Sequence, residues 1–198
     1  MKIRKIFVTF VIVLCMILNS NTMIFASNSP SKESHVSYTI DIEDDEALAD
    51  IDIISKNNYI ENGRAITETV YRKTDGTIIT DILDVSAIAP LTKDGSDTVS
   101  RTRKIGGWGS IKLKAGFKWY TKGNFSYVKC TSMTASRDLD SKACVSKWEK
   151  DYTKDYVSIG KAKAQVEYSF YNSANPTQFQ NGIFKITCSD SGTISDNG

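Results

Sequence analysis

Between residues 110 and 121 apolar and polar side chains alternate without a break. Ile111, Leu113, Ala115, Phe117 and Trp119 fall on one side, and Lys112, Lys114, Gly116, Lys118 and Tyr120 on the other. A period of two places these sets on opposite faces of a β-strand, one apolar and one bearing three lysines. Residues 161–171 repeat the pattern, with Ala162, Ala164, Val166, Tyr168 and Phe170 on the apolar side and Lys161, Lys163 and Glu167 on the other. At roughly 1.5–3 kcal/mol for each large side chain buried, these two stripes form the expected centre of the core.

Shorter patterns surround them. Val36, Tyr38, Ile40 and Ile42 alternate with polar residues and predict a strand. The acidic run 43–46 precedes Ala47-Leu48-Ala49, which suits a short helix, although Ile51, Ile53 and Ile54 oppose a long one. Residues 65–73 and 77–85 predict a hairpin turning on Thr74-Asp75-Gly76, because Asp–Gly favours the positive φ that such turns need. A strand over 125–135 follows the turn at Gly123-Asn124, with two mixed faces. Trp148, Tyr152, Tyr156 and Ile159 recur at helical spacing, yet alternation fits them too; a short helix or an aromatic-rich loop is expected over 147–160. After a turn at 172–176, residues 182–189 predict a strand with Phe184, Ile186 and Cys188 on one face. The fold class expected is mainly β: an antiparallel β-sandwich or open barrel of six to eight short strands, with one or two short helices.

The N-terminus changes the setting. Lys2, Arg4 and Lys5 precede an apolar run over 6–18 that is too short to span a bilayer, and Ala26 ends a cleavage site, so residues 1–26 read as a secretory signal peptide. Cys15 sits behind Leu14 inside that run, where a lipid-modified cysteine would follow a small residue. The expected product is secreted and extracellular, with no transmembrane segment after cleavage. Residues 27–34 read as a flexible leader, 35–89 as an acidic strand and hairpin segment, 90–97 as a linker and 98–198 as a basic β-sandwich domain.

Charge supports that division. Residues 27–100 hold 15 acidic and 6 basic residues, net −9, whereas 101–198 hold 8 acidic and 16 basic, net +8. Such asymmetry points either to an acidic segment folded against a basic one or to a basic half made for an anionic partner. Cys130, Cys144 and Cys188 remain after export, an odd number that allows at most one internal disulfide. Cys130 with Cys188 is the preferred pair, since both fall in strand-like runs, and Cys130 with Cys144 is the alternative.

Most catalytic templates fail on supply. His35 is the only histidine and lies near the expected new N-terminus, a poor place for a rigid general base. No nucleophile elbow, zinc-protease helix, phosphate loop or calcium loop occurs. No cofactor, metal site or catalytic residue is predicted, and carboxylate-based wall hydrolysis ranks last among the functions considered.

The outward lysines are the best functional signal. If the two clean strands share a sheet, Lys112, Lys114, Lys118, Lys161 and Lys163 make one basic face against the single carboxylate of Glu167. Solubilising an exposed sheet is the plain role for such a face. The sharper one is binding an anionic wall polymer or anionic lipid surface, with nucleic acid not expected as partner. Trp108, flanked by Gly106, Gly107 and Gly109, either covers one end of the core or serves as an exposed binding anchor. Arg101-Thr102-Arg103-Lys104 reads as an exposed basic strand, or as a processing site that frees the basic half from an acidic pro-region.

The signal peptide, the stretch 98–119 with Ala115-Gly116-Phe117, and the strand 162–170 resemble the small secreted β-domain proteins of Gram-positive bacteria whose function is uncharacterised. The Gly107-Trp108 entry after a long leader is similar to lactococcin-type bacteriocins, without the histidines those peptides carry. The first resemblance implies a non-enzymatic exported protein, the second an antibacterial one; neither supplies catalytic residues.

Overall fold

The apolar stripe of residues 111–119 is buried along its whole length, at 0–2 % exposure, and the strand that carries it organises the larger of two sheets. The computed structural model describes residues 51–86 and 94–195. The expected signal peptide, leader, His35, the strand over 36–42, the acidic run before Ile51 and the first half of the linker lie outside the described residues.

Seven strands form the first sheet in the order β1 (Ile51–Glu61), β2 (Arg64–Lys73), β3 (Ile78–Ser86), β4 (Gly95–Ile105), β5 (Gly109–Lys122), β6 (Phe125–Leu139) and β8 (Val157–Ser158). The second has the order β11 (Ile194–Ser195), β10 (Asn175–Ser189), β9 (Lys161–Asn172) and β7 (Ala143–Tyr152). Every pair is antiparallel. The mainly-β sandwich or open barrel is thus present, with eleven strands among the described residues instead of six to eight. The sheets join along one margin. Cys130 N–H donates to the Thr153 carbonyl (2.9 Å), and Thr153 N–H donates to that of Lys163 (2.9 Å), so one segment bonds both β6 and β9.

The expected hairpin is β2–β3. Gly76 adopts φ 85° in its turn, and Asp75 accepts the Thr77 N–H at 2.8 Å. Hydrogen bonds from Thr77 hold the Asp75 carboxyl below its ordinary range. This acidic hairpin lies edge-on in the sheet, with β3 paired directly to β4 from Ile79↔Ile105 to Asp84↔Ser100. The acidic hairpin therefore continues the sheet of β4, β5 and β6, and its inner face shares the core with the second sheet.

No helix occurs among the described residues. Residues 143–152 form β7, which corrects the expected helix or loop. Trp148 and Tyr152 are four apart, an even number, so helix and strand periods both place them on one side. Here that side is the inner face of a strand, with the Trp148 ring against Phe170 (centroids 6.3 Å, 18° between planes). The chain ahead of β2 is also strand. Asn62 and Gly63 both take positive φ, 51° and 73°, and close β1 onto β2 with the two-residue turn such a pair favours.

Two local features hid which side of other strands faces the core. In β6 the register slips by one between Gly116↔Ser132 and Phe117↔Cys130, leaving Thr131 as the extra residue. Val128 and Cys130 are buried before the bulge, and Met133 and Ala135 are packed against the core after it. The parity changes midway, which makes both faces look mixed. In β4 the inward positions are Val99, Arg101, Arg103 and Ile105, all buried. The stretch read as an exposed basic strand or processing site therefore carries two core arginines.

Their burial has a clear electrostatic basis. Asp81, on the adjacent β3, accepts from Arg103 Nε (2.8 Å) and Nη2 (2.7 Å) as a fork, and from Arg101 Nη2 (2.6 Å). Arg101 Nη1 also donates to the Lys185 carbonyl at 2.8 Å. From the opposite sheet, the Phe184 ring faces both guanidinium groups, 4.6 and 5.0 Å from its centroid. Burial would push the Asp81 carboxyl up, but the charges and hydrogen bonds of Arg103 and Arg101 together outweigh that and hold it below its ordinary range.

Candidate functional site

Because β5 and β9 both bury an apolar stripe, each must supply one wall of the same core. They lie in different sheets. Their lysines consequently point away from one another, and the five-lysine face expected from a shared sheet does not form: Lys112, Lys114 and Lys118 lie on the outer side of one sheet, Lys161 and Lys163 on that of the other. In the smaller set Lys163 is neutralised and Lys161 forms no ion pair among the described residues. Lys163 Nζ pairs with Asp151 (3.2 Å), and Lys147, on the same side, pairs with Glu167 (2.6 Å) and Glu149 (3.7 Å).

The β5 set is different. Lys112, Lys114 and Lys118 are exposed and form no ion pair among the described residues. In the ladder they lie between hydroxyl side chains: Thr102 and Ser136 flank Lys112, Ser100 and Thr134 flank Lys114, and Ser96 adjoins Lys118. On this side Asp138 of β6 stands opposite Ser110, two positions from Lys112, and Asp84 of β3 is held by Arg64, whose Nη2 also donates to the Thr98 carbonyl (2.8 Å). Residues two apart on a strand stand roughly 6–7 Å apart, within the ~8 Å Debye length at physiological salt. Lys112 and Lys114 therefore act on one potential, while Lys118, four positions beyond Lys114, stands beside Lys129 of the neighbouring strand.

At its far end the row runs into aromatic side chains. The β5–β6 hairpin turns at Gly123-Asn124, which pairs Lys118 with Lys129 and Tyr120 with Tyr127. The two tyrosine rings stack (5.1 Å, 13°), and Tyr156 from the bridging segment meets Tyr120 edge-on (4.7 Å, 87°). Lys129 Nζ lies 4.3 Å from the centre of the Tyr156 ring. Tyr120, Tyr156, Lys118 and Trp119 line an open groove of about 600 Å³ together with Asp94, Gly95 and Ser96 of the adjacent β4 end. Tyr127, Lys129 and Tyr156 were not among the expected site residues. A signal existed for the first two: Lys118 and Tyr120 mirror Lys129 and Tyr127 about the turn dipeptide.

Trp108 sits in the β4–β5 turn, half-buried against the core, and its carbonyl accepts from Asp140 N–H (3.1 Å). It is separate from the tyrosine groove. Among the described residues no three His, Cys, Asp or Glu side chains cluster as a metal site. Cys130 and Cys188 lie buried as free thiols on opposing sheets, and Cys144 is half-buried as a free thiol on β7. Burial pushes the Cys130 and Cys188 thiols up; for Cys188 the nearby Asp97, Cys130 and Asp190 add to the effect. Thiolates react, so native-state alkylation should modify Cys144 first and leave the other two protected until unfolding, as peptide mass spectrometry would show.

The chain matches no protein-family model, and no curated protein or solved structure is similar to it.

Proposed function

We propose that this chain is a secreted, non-enzymatic protein that binds an anionic cell-wall polymer through the outer face of β5. The observation that supports it is the row of Lys112, Lys114 and Lys118: exposed, without ion pairs among the described residues, and bordered by Ser and Thr side chains. Hydroxyls and ammonium groups together suit a flexible polyanion, since they offer donors at many registers. Release of a basic half by cleavage in 101–104 is less well supported, because that cut falls within β4, which is hydrogen-bonded to both β3 and β5.

The test is retention of the protein lacking residues 1–26 on immobilised anionic wall polymer, alongside anionic liposomes. Retention should fall as salt rises. At about 1 kcal/mol for each lysine near an anionic surface, reversing all three to Glu should weaken binding by at least about a hundredfold. Binding that ignores both salt and the triple reversal contradicts the proposal, as does binding to liposomes alone.

A further inference from the structure

We infer that the tyrosine groove at the Lys118 end of the β5 face is a saccharide subsite, which takes a sugar ring of an anionic polysaccharide. The inference rests on the lysine-face reading and names the chemistry of its polymer. A pyranose has an apolar C–H face and a hydroxyl edge. The groove offers both, with the rings of Tyr120 and Tyr156 and the polar side chains of Ser96 and Asp94 in its lining. At about 600 Å³ it falls within the roughly 300–1,000 Å³ of small-molecule sites.

The aromatic wall is braced. Tyr120 is backed by the stacked Tyr127 and met by Tyr156, which in turn lies beside Lys129. Beneath it the Trp119 indole is held so closely against Gly95 that a Cβ there would come within 2.6 Å of the ring. Asp94 is fixed by the Thr121 N–H, which it accepts at 2.6 Å. A wall that moves little loses little on binding. Charge selects among ring-bearing ligands: Lys118 lines the groove and Lys129 borders it, so a carboxylate or phosphate carried by the sugar would be matched. An acyl chain would leave Asp94 and Ser96 facing hydrocarbon.

The experiment is calorimetric titration of the protein lacking residues 1–26 with three probes: oligogalacturonate, polyglutamate of equal length and charge, and phosphatidylglycerol vesicles. Wild type should bind the oligogalacturonate at least tenfold more tightly than polyglutamate. Tyr156→Ala should remove that preference without weakening polyglutamate binding, and Tyr156→Phe should retain it. An unchanged thermal midpoint shows that the Ala variant is folded; should it unfold, the same comparison is made with Ser96→Leu, which fills the groove from the exposed outer side of β4. Equal affinity of wild type for the two polyanions, or a preference that survives loss of Tyr156, overturns the saccharide subsite while leaving the lysine face standing. No binding to either polyanion overturns both, and a preference for vesicles overturns the subsite in favour of lipid.

Discussion

Replacing Asp81 by asparagine is expected to destabilise the folded protein by about 3–5 kcal/mol, because it leaves two guanidinium groups in the core without their counter-charge. Arg101 and Arg103 are fully buried, and Asp81 accepts three of their hydrogen bonds. The remaining partners cannot compensate. The Lys185 carbonyl and the Tyr168 hydroxyl (3.5 Å) are neutral acceptors, and the Phe184 ring offers only its quadrupole. Urea unfolding at neutral pH measures the effect as a lower midpoint at unchanged slope. Exchanging all three charged residues for apolar ones of similar volume should cost far less, since the penalty lies in the uncompensated charge and not in the loss of the pair. The same cluster sets an acid dependence. The folded-state pKa of Asp81 lies below its unfolded value. Its contribution is therefore present above the unfolded carboxylate pKa and is lost as pH falls toward the folded one. Wild type should lose stability through that acid range, and Asp81→Asn should lose correspondingly less. A loss below about 1 kcal/mol at neutral pH would show that the cluster is not a buried ion site.

Gly192→Val should destabilise by about 2–4 kcal/mol, from left-handed strain plus overpacking. Gly192 has φ 84°, and a Cβ there would lie 2.4 Å from the Trp119 ring, which Gly95 crowds from elsewhere in the chain. The indole is thus slotted between two glycines, and it cannot yield without disturbing the core it fills. Gly63→Ala provides the comparison. Gly63 also has positive φ (73°), but nothing lies within 4 Å of its Cβ position, so only the backbone term of about 1 kcal/mol remains. Thermal or urea unfolding of the two variants should rank them in that order; equal losses would mean that the slot around Trp119 carries no packing constraint.

The strands that declare themselves in the sequence are those whose inward residues are apolar without exception, β5 and β9, together with the β2–β3 hairpin and its Asp75-Gly76 turn. In β4 the strand at 101–104 is legible but its burial is not, because charge is ordinarily read as exposure, and the partner that permits Arg101 and Arg103 to be buried lies on another strand. β6 is legible as a strand over 125–135, but its inward face is not, because the bulge at Thr131 inverts its parity; β7 escapes because Trp148 and Tyr152 satisfy two periods at once. β1 carried a usable signal in Asn62-Gly63. The candidate site shows the same division. Alternation assigns Lys112, Lys114 and Lys118 to the face opposite the core, and Lys161 and Lys163 likewise, but a period says nothing about which sheet a strand joins. Only pairing separates the two lysine sets. The tyrosine groove needs one further step, since Tyr156 reaches Tyr120 through tertiary folding alone.

The measurement that bears most directly on the central claim compares these two faces. Binding to anionic wall polymer is followed across a range of salt for wild type, for Lys112→Gln with Lys114→Gln and Lys118→Gln, and for Lys161→Gln with Lys163→Gln. The β5 triple variant should lose most of its affinity and most of its salt dependence, while the β9 pair should bind as wild type does. Equal losses from both sets, or a greater loss from the β9 pair, would contradict the claim.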